Sequence, residues 1–402
     1  MQKKTVFSFL EQDKQEKQHF CCNFFPKKPV IKRSSSGRNI FEKTLGQRNH
    51  KLNKKMKKTL AIVASRNELN SYIKEQYESL KEYFDVVWGL DFFWEENFYA
   101  DYYLIHWPEY ITNFYNKKFD SVLETIKERL ISIKNNNSKL IGIYHNKFPH
   151  YNNTEGNRKL YETFYSMMDG VICLGYYSAN YYKSTYKNFN TQITIIPHPC
   201  FNSIPNTISR EDARKNLSIN KDNFVILIFG SLRNKEEVKL FLRAFKDSNI
   251  KNKKLLVVGG KIDHYSSIIE KIYNKIYRFW HAGKNLIYID RKVDDNELQK
   301  YFNASDVVFI PRTDTLNSGV VFMAFTFGKP VIGPSVGNIT ETLKDSGNIL
   351  FNPNNRESIA NALNLASTSN LNEISQNNIS LSKTIFSTQN IAYKISNFII
   401  SL

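Results

Sequence analysis

Past residue 58 the chain alternates short apolar runs with longer segments whose apolar residues recur every three or four positions. The runs at 60–64, 86–88, 102–106, 140–144, 170–174 and 193–196 predict strands. The periodic segments at 72–84, 119–134, 155–168 and 178–186 predict helices between them. Three prolines, Pro197, Pro199 and Pro205, break the series. A second series follows, with helices at 210–217, 236–245, 266–280, 295–303 and 319–327. Its strands fall at 224–229, 255–258, 286–289, 307–310 and 331–332, and helices at 356–367 and 384–400 close the chain. Strands separated by helices make parallel sheets covered on both faces. The pattern therefore predicts an α/β protein of two doubly wound domains, with ligand sites in a cleft at the strand C-termini. The boundaries are 58–200 for the first domain, 201–383 for the second and 384–402 for a helix returning to the first.

Residues 1–57 stand outside this pattern. They have no sustained period and carry Pro26-Lys27-Lys28-Pro29 and the Lys/Met run ending at Lys58. They read either as a disordered basic arm or as a stretch ahead of a true start at Met56. This changes the meaning of the net charge of +18, which at first points to nucleic acid or an anionic membrane. The first 56 residues hold 14 Lys/Arg against 4 Asp/Glu, so they carry +10 and leave +8 to the other 346 residues. Nucleic acid is not expected as the partner. The 4 cysteines show no C-x-x-C spacing, which fits a reduced compartment. No apolar run approaches the roughly 18 residues that span a bilayer. Met1-Gln2-Lys3-Lys4 lacks a following apolar region. A cytoplasmic location is the expectation.

The chemistry-bearing residues sit at predicted strand ends. Ile105-His106-Trp107-Pro108-Glu109 closes one strand, and the proline sets His106 and Glu109 at the sheet edge. Tyr144-His145-Asn146-Lys147-Phe148-Pro149-His150 follows another. An imidazole with an ordinary pKa near 6.5 suits proton traffic at neutral pH, and His145 is preferred to His150. His198 stands at the domain junction, where cleft lining and hinge packing are both open. In the second half, Gly230-Ser231-Leu232-Arg233 follows a strand and opens a helix. Glycine lets the backbone approach closely, Arg233 offers a planar fork for phosphate oxygens, and the helix start adds positive potential. Lys235 is the second cation there. Asn317-Ser318-Gly319-Val320 opens a helix whose free N–H groups suit a phosphate. Asp294-Asp295 reads as a helix cap, so no metal site is expected. Each motif also has a structural reading: packed aromatic corner, core or surface histidine, solvated arginine, serine cap.

In order and placement these motifs resemble the GT-B glycosyltransferases over residues 58–400, close to the large retaining family four and to capsule and exopolysaccharide enzymes. The carriers are His106-Trp107-Pro108-Glu109, the His145-Asn146 to Pro149-His150 loop, Pro197-His198, Gly230 with Arg233, and Phe327-Gly328-Lys329-Pro330. The resemblance implies two Rossmann-like domains and a nucleotide-diphosphate sugar as co-substrate, with no resident cofactor. It implies a saccharide acceptor, lipid-linked, in capsule, exopolysaccharide or O-antigen assembly, with the enzyme peripheral on the anionic inner face of the membrane. It places Arg66, Asn67, His106, Glu109, His150 and His198 toward the cleft and acceptor. His145 goes to the donor sugar or reacting oxygen, and Arg291 and Val293 to the nucleobase. It also favours retention over inversion. The chain departs from the family where a pair of glutamates spaced by seven residues is usual: Thr315 and Met323 stand there. Thr315 can still meet a sugar, but a thioether is a poor partner for ribose hydroxyls. Pro199 replaces a usual glycine, and Glu236 a usual lysine. Two other readings stay open: another GT-B chemistry such as sugar-nucleotide epimerisation, and a basic interaction protein acting through its arm.

Overall fold

A strand covered on both faces needs apolar side chains at every position, and Phe224–Phe229 supplies six in a row. In the computed structural model, which describes residues 57–66, 70–112, 119–149, 154–187, 190–259 and 282–402, such strands build two six-stranded parallel sheets.

The first sheet has β1 (Thr59–Val63), β2 (Asp85–Trp88), β3 (Tyr102–Ile105), β4 (Lys139–Tyr144), β5 (Gly170–Cys173) and β6 (Gln192–Ile195), in the order β2-β1-β3-β4-β5-β6. Its helices are α1 (Ser71–Leu80), α2 (Asp91–Trp94), α3 (Pro108–Thr112), α4 (Phe119–Asn135), α5 (Glu155–Ser166) and α6 (Tyr176–Thr185). The second sheet has β7 (Phe224–Phe229), β8 (Lys253–Val258), β9 (Leu286–Ile289), β10 (Val307–Phe309), β11 (Val331–Pro334) and β12 (Ile349–Phe351). Its order is β12-β11-β10-β7-β8-β9. It is accompanied by α7 (Arg210–Asn216), α8 (Lys235–Asp247), α9 (Asp295–Ala304), α10 (Gly319–Thr326), α11 (Gly337–Asp345), α12 (Arg356–Thr368), α13 (Leu371–Lys383) and α14 (Thr388–Ser401). Strand order reverses between β1 and β3 and again between β10 and β7. Chains leaving the two strands at such a point diverge, and a crevice opens there.

One apolar cluster runs from Leu60, Ile62 and Leu104 through Phe201 and Ile204 to Leu227, Leu256 and Val308. It includes Ile391, Ile395 and Ile399 of α14. The linker and the last helix thus join the cores of both sheets, while separate clusters cover the opposite faces. α14 packs on α1, and Phe398 and Leu402 fill the space beside Gly170, where an added Cβ would come within 2.8 Å of each.

The predicted helix at 384–400 starts later, at Thr388, because Ser387 caps it by accepting the Asn390 N–H. The pattern missed α2, α3, α11, β12 and α13. α13 is rich in Asn and Ser and has a weak apolar stripe, and it begins where Asn370 accepts the Glu373 N–H. The predicted helix at 266–280 and the basic segment lie outside the described residues. No helix among the described residues is long and apolar enough to cross a membrane.

Candidate active site

The strand ends of the two sheets face a cleft that holds two adjoining chambers. The first, about 380 Å³, is bordered by Trp107, His145, His198, Arg233, Arg312 and the 317–320 segment. The second, about 540 Å³, is bordered by Gly230, Ser231, Lys292, Val293, Asp295 and Met323. Ser71 touches both chambers.

Local rules set each wall. After β7 the chain turns at Gly230, whose φ of +90° is costly for any residue with a Cβ. Asn234 then caps α8 by accepting the Glu237 N–H at 2.9 Å. Glu237 is buried and accepts the Arg233 backbone N–H at 2.8 Å. The same carboxylate pairs with the Arg312 guanidinium, which also donates to the Ser231 carbonyl at 3.0 Å. Arg312 arrives from the end of β10 and Arg233 from the end of β7, the two strands at the order reversal. Between them stands the start of α10. Its Ser318 makes no side-chain cap bond, so the first-turn N–H groups are not satisfied by that hydroxyl.

The opposite wall is a stack of rings. His198 lies between Tyr72 and Phe322, with centroids 4.4 Å and 4.9 Å away. Its Nδ1 donates to the Pro199 carbonyl at 2.6 Å. Burial pulls its pKa down to about 4, partly offset by that bond. Trp107 has a left-handed φ of 41°, a rare state for a bulky side chain, and stacks on His145 at 4.3 Å. His106 is fully buried behind them; burial, then the nearby His198, takes its pKa down to about 3.

Residues 209–380 match the family described as glycosyl transferases group 1. The match lies within the second domain and covers less than half of the chain. The whole two-domain arrangement is the GT-B fold. Sucrose-phosphate synthase from Thermosynechococcus elongatus superposes with a TM-score of 0.68 at 14% identity, covering 86% of this chain and 99% of that one. HepE of Anabaena, solved with UDP, gives 0.64 at 14% identity, over 86% of this chain and 100% of that one. WaaG, a glycosyltransferase involved in lipopolysaccharide biosynthesis, gives 0.57 at 12% identity, over 85% and 99%. No curated protein matches the chain by sequence.

Within this GT-B cleft the predicted residues separate into groups. Arg233, Asn317, Ser318, Gly319, Val320, His145 and His198 border the first chamber. Gly230, Ser231 and Val293 border the second, as does Met323. Others turn away. Arg66 donates to the Trp88 carbonyl and to Asp91, each at 2.8 Å, and lines neither chamber. Glu109 accepts the Tyr161 hydroxyl at 2.8 Å, and burial raises its pKa. Arg291 forms a two-bond pair with Glu297. Thr315 turns inward and donates to the Asn317 carbonyl at 2.8 Å. Lys235 is exposed on the first turn of α8 and borders neither chamber. His106 lines neither chamber but hydrogen-bonds to His145, which borders the first. Asn67 and His150 lie outside the described residues. Asp294 holds the cap position of α9 without a side-chain cap bond, while the Asp295 carboxylate crosses the cleft to accept the Ser71 hydroxyl at 2.8 Å.

Sequence reading passed over Arg312, Lys292 and Gln76. Arg312 carried a usable signal, since it directly follows a strand and a proline, the position that drew attention to His145 and Arg233. Gln76 carried none, because a polar residue on an amphipathic helix reads as solvated until the fold buries it.

Proposed function

We propose that the chain transfers a glycosyl unit from a nucleotide-diphosphate sugar to a saccharide acceptor. One observation carries this reading: Arg233, Arg312 and the start of α10 meet at the strand-order reversal, on the wall of the first chamber. An anion bound there would lie against two guanidinium groups and a helix N-terminus. The chamber with Val293, Leu298 and Met323 offers apolar contact to a base, with Lys292 and Asp295 as its charged groups. The chamber with His145 takes the sugar. HepE was solved with UDP and with UDP-glucose, which supports a donor of this class.

As the bond from sugar to diphosphate breaks, negative charge grows on the leaving oxygen. Arg233 and the N–H groups of α10 are placed to stabilise it, the term that usually dominates such catalysis. The protein's own cations do this work in our reading, so turnover is metal-independent. We further propose retention of configuration and a lipid-linked acceptor in capsule, exopolysaccharide or O-antigen assembly at the cytoplasmic membrane face. The part that WaaG plays in lipopolysaccharide biosynthesis supports that direction.

A panel of nucleotide sugars, UDP sugars first, tests the reading. One member is expected to raise the melting temperature, by about 2.7 kcal/mol of added stability at a hundred times its Kd. The same member should release nucleoside diphosphate in the presence of EDTA. If none stabilises the protein and none is turned over, the reading fails.

A further inference from the structure

Three side chains from three elements form one buried line into the cleft. Gln76 Oε1 on α1 lies 2.7 Å from His106 Nε2, and His106 Nδ1 lies 2.9 Å from His145 Nε2. Trp107 covers the His145 ring, and Tyr72 sets its edge against both imidazoles at 5.6 Å. This packing fixes the ring planes. It does not decide which nitrogen of each ring carries the proton.

We infer that Gln76 and His106 are positioning residues that fix the tautomer of His145; only the kinetic consequence of this rests on the glycosyl-transfer reading. A carboxamide oxygen accepts and cannot donate, so His106 must carry its proton on Nε2. Full burial keeps His106 neutral, which leaves the lone pair on Nδ1. The facing His145 Nε2 must then donate, and any hydrogen bond made at Nδ1 of neutral His145 is one that it accepts. That tautomer suits taking a proton from a substrate hydroxyl and not giving one. A carboxamide two rings away sets the choice. Turning the amide round would reverse the line and put the His145 proton on Nδ1. In the observed orientation the amide nitrogen is buried and makes no hydrogen bond.

NMR of the ring nitrogens in wild-type protein labelled with ¹⁵N-histidine reads the tautomers directly, with His106→Asn and His145→Asn for assignment. Both rings are expected to be protonated on Nε2 and bare on Nδ1 at neutral pH. A His106 protonated on Nδ1 overturns the inference, whether or not the chain transfers sugar. Gln76→Leu should mix the tautomers and lower kcat about tenfold, inside the roughly hundredfold scale of a positioned base, with KM changed less than about twofold. Gln76→Glu keeps an acceptor oxygen and should restore the tautomers and most of kcat. A folded Gln76→Leu protein with wild-type tautomers, or a Gln76→Glu protein as mixed as Gln76→Leu, also overturns it.

Discussion

Glu237 is 2% exposed, yet three groups of the cleft wall depend on it: the Arg233 N–H, the Arg312 guanidinium and, through Arg312, the Ser231 carbonyl. A buried carboxylate stripped of its partner is costly, so Arg312→Met is expected to lower stability by about 3–5 kcal/mol, read from the denaturant midpoint. Arg233 borders the same chamber as Arg312 but is only half-buried, so its loss falls on the site more than on the core. Arg233→Ala should cost about 2–4 kcal/mol of transition-state stabilisation in kcat/KM for the donor, and unchanged turnover would remove it from the site. The buried histidines predict a pH dependence. His198 falls from 6.5 to about 4 on folding and His106 to about 3. The unfolded chain therefore binds the extra protons first, and stability is lost as pH drops below about 6.5. His198 alone contributes on the order of 3 kcal/mol over that range. Denaturant midpoints measured down to about pH 4 should fall, and His198→Phe should flatten the slope; a midpoint indifferent to pH would refute the neutral-histidine account.

Among the elements, α11 ties the cleft wall to the first domain, and the hydrophobic pattern did not reveal it. It opens at Gly337, with φ of +53°, where a Cβ would come within 2.2 Å of the Thr315 carbonyl oxygen. The next residue, Asn338, donates to Asn317 Oδ1 at 2.6 Å and to Ser178 Oγ at 2.9 Å, and accepts the Ser178 N–H at 2.9 Å. Glu341 accepts the Tyr176 and Tyr177 N–H groups. α6 begins at a glycine, Gly175, and so borrows its cap from the other domain. Gly337→Ala should cost about 1–3 kcal/mol in backbone strain alone and displace the 315–317 segment ahead of α10. A melting temperature equal to wild type would contradict that. The strands and amphipathic helices were legible because burial on one or two faces writes a period into the sequence. α3, a turn of helix after Pro108, and α13, with its polar stripe, are held by neighbours and write none.

At the scale of the whole molecule, the two sheets are tied at both ends of the cleft. Glu75 on α1 accepts the Asn202 and Ser203 N–H groups and the Ser203 and Thr388 hydroxyls, at 2.6 to 3.1 Å. One carboxylate thus joins the first domain, the linker and the start of α14. Glu75→Ala leaves those donors without it and should cost on the order of 3 kcal/mol in unfolding free energy. Across the cleft, Asn317 donates to the His145 carbonyl at 2.9 Å, and Lys147 pairs with Asp314 at 3.0 Å. The Lys147–Asp314 pair is exposed on the aspartate side and contributes little by itself.

The sequence by itself determined the two doubly wound domains, the break at 197–206 and the strand ends where chemistry concentrates. These follow from short-range rules: strand and helix periods, proline breaks, and glycines where the chain turns sharply. Tertiary structure alone decided which strand-end side chains face the cleft. Arg66, Glu109 and Arg291 found partners elsewhere, while Arg312 and Gln76 were drawn in. A side chain's partner is set by residues far away in the chain, such as Glu237 for Arg312, 75 residues apart, or Asn338 for Ser178, 160 apart. No local period records such a meeting, because it exists only once both sheets have formed.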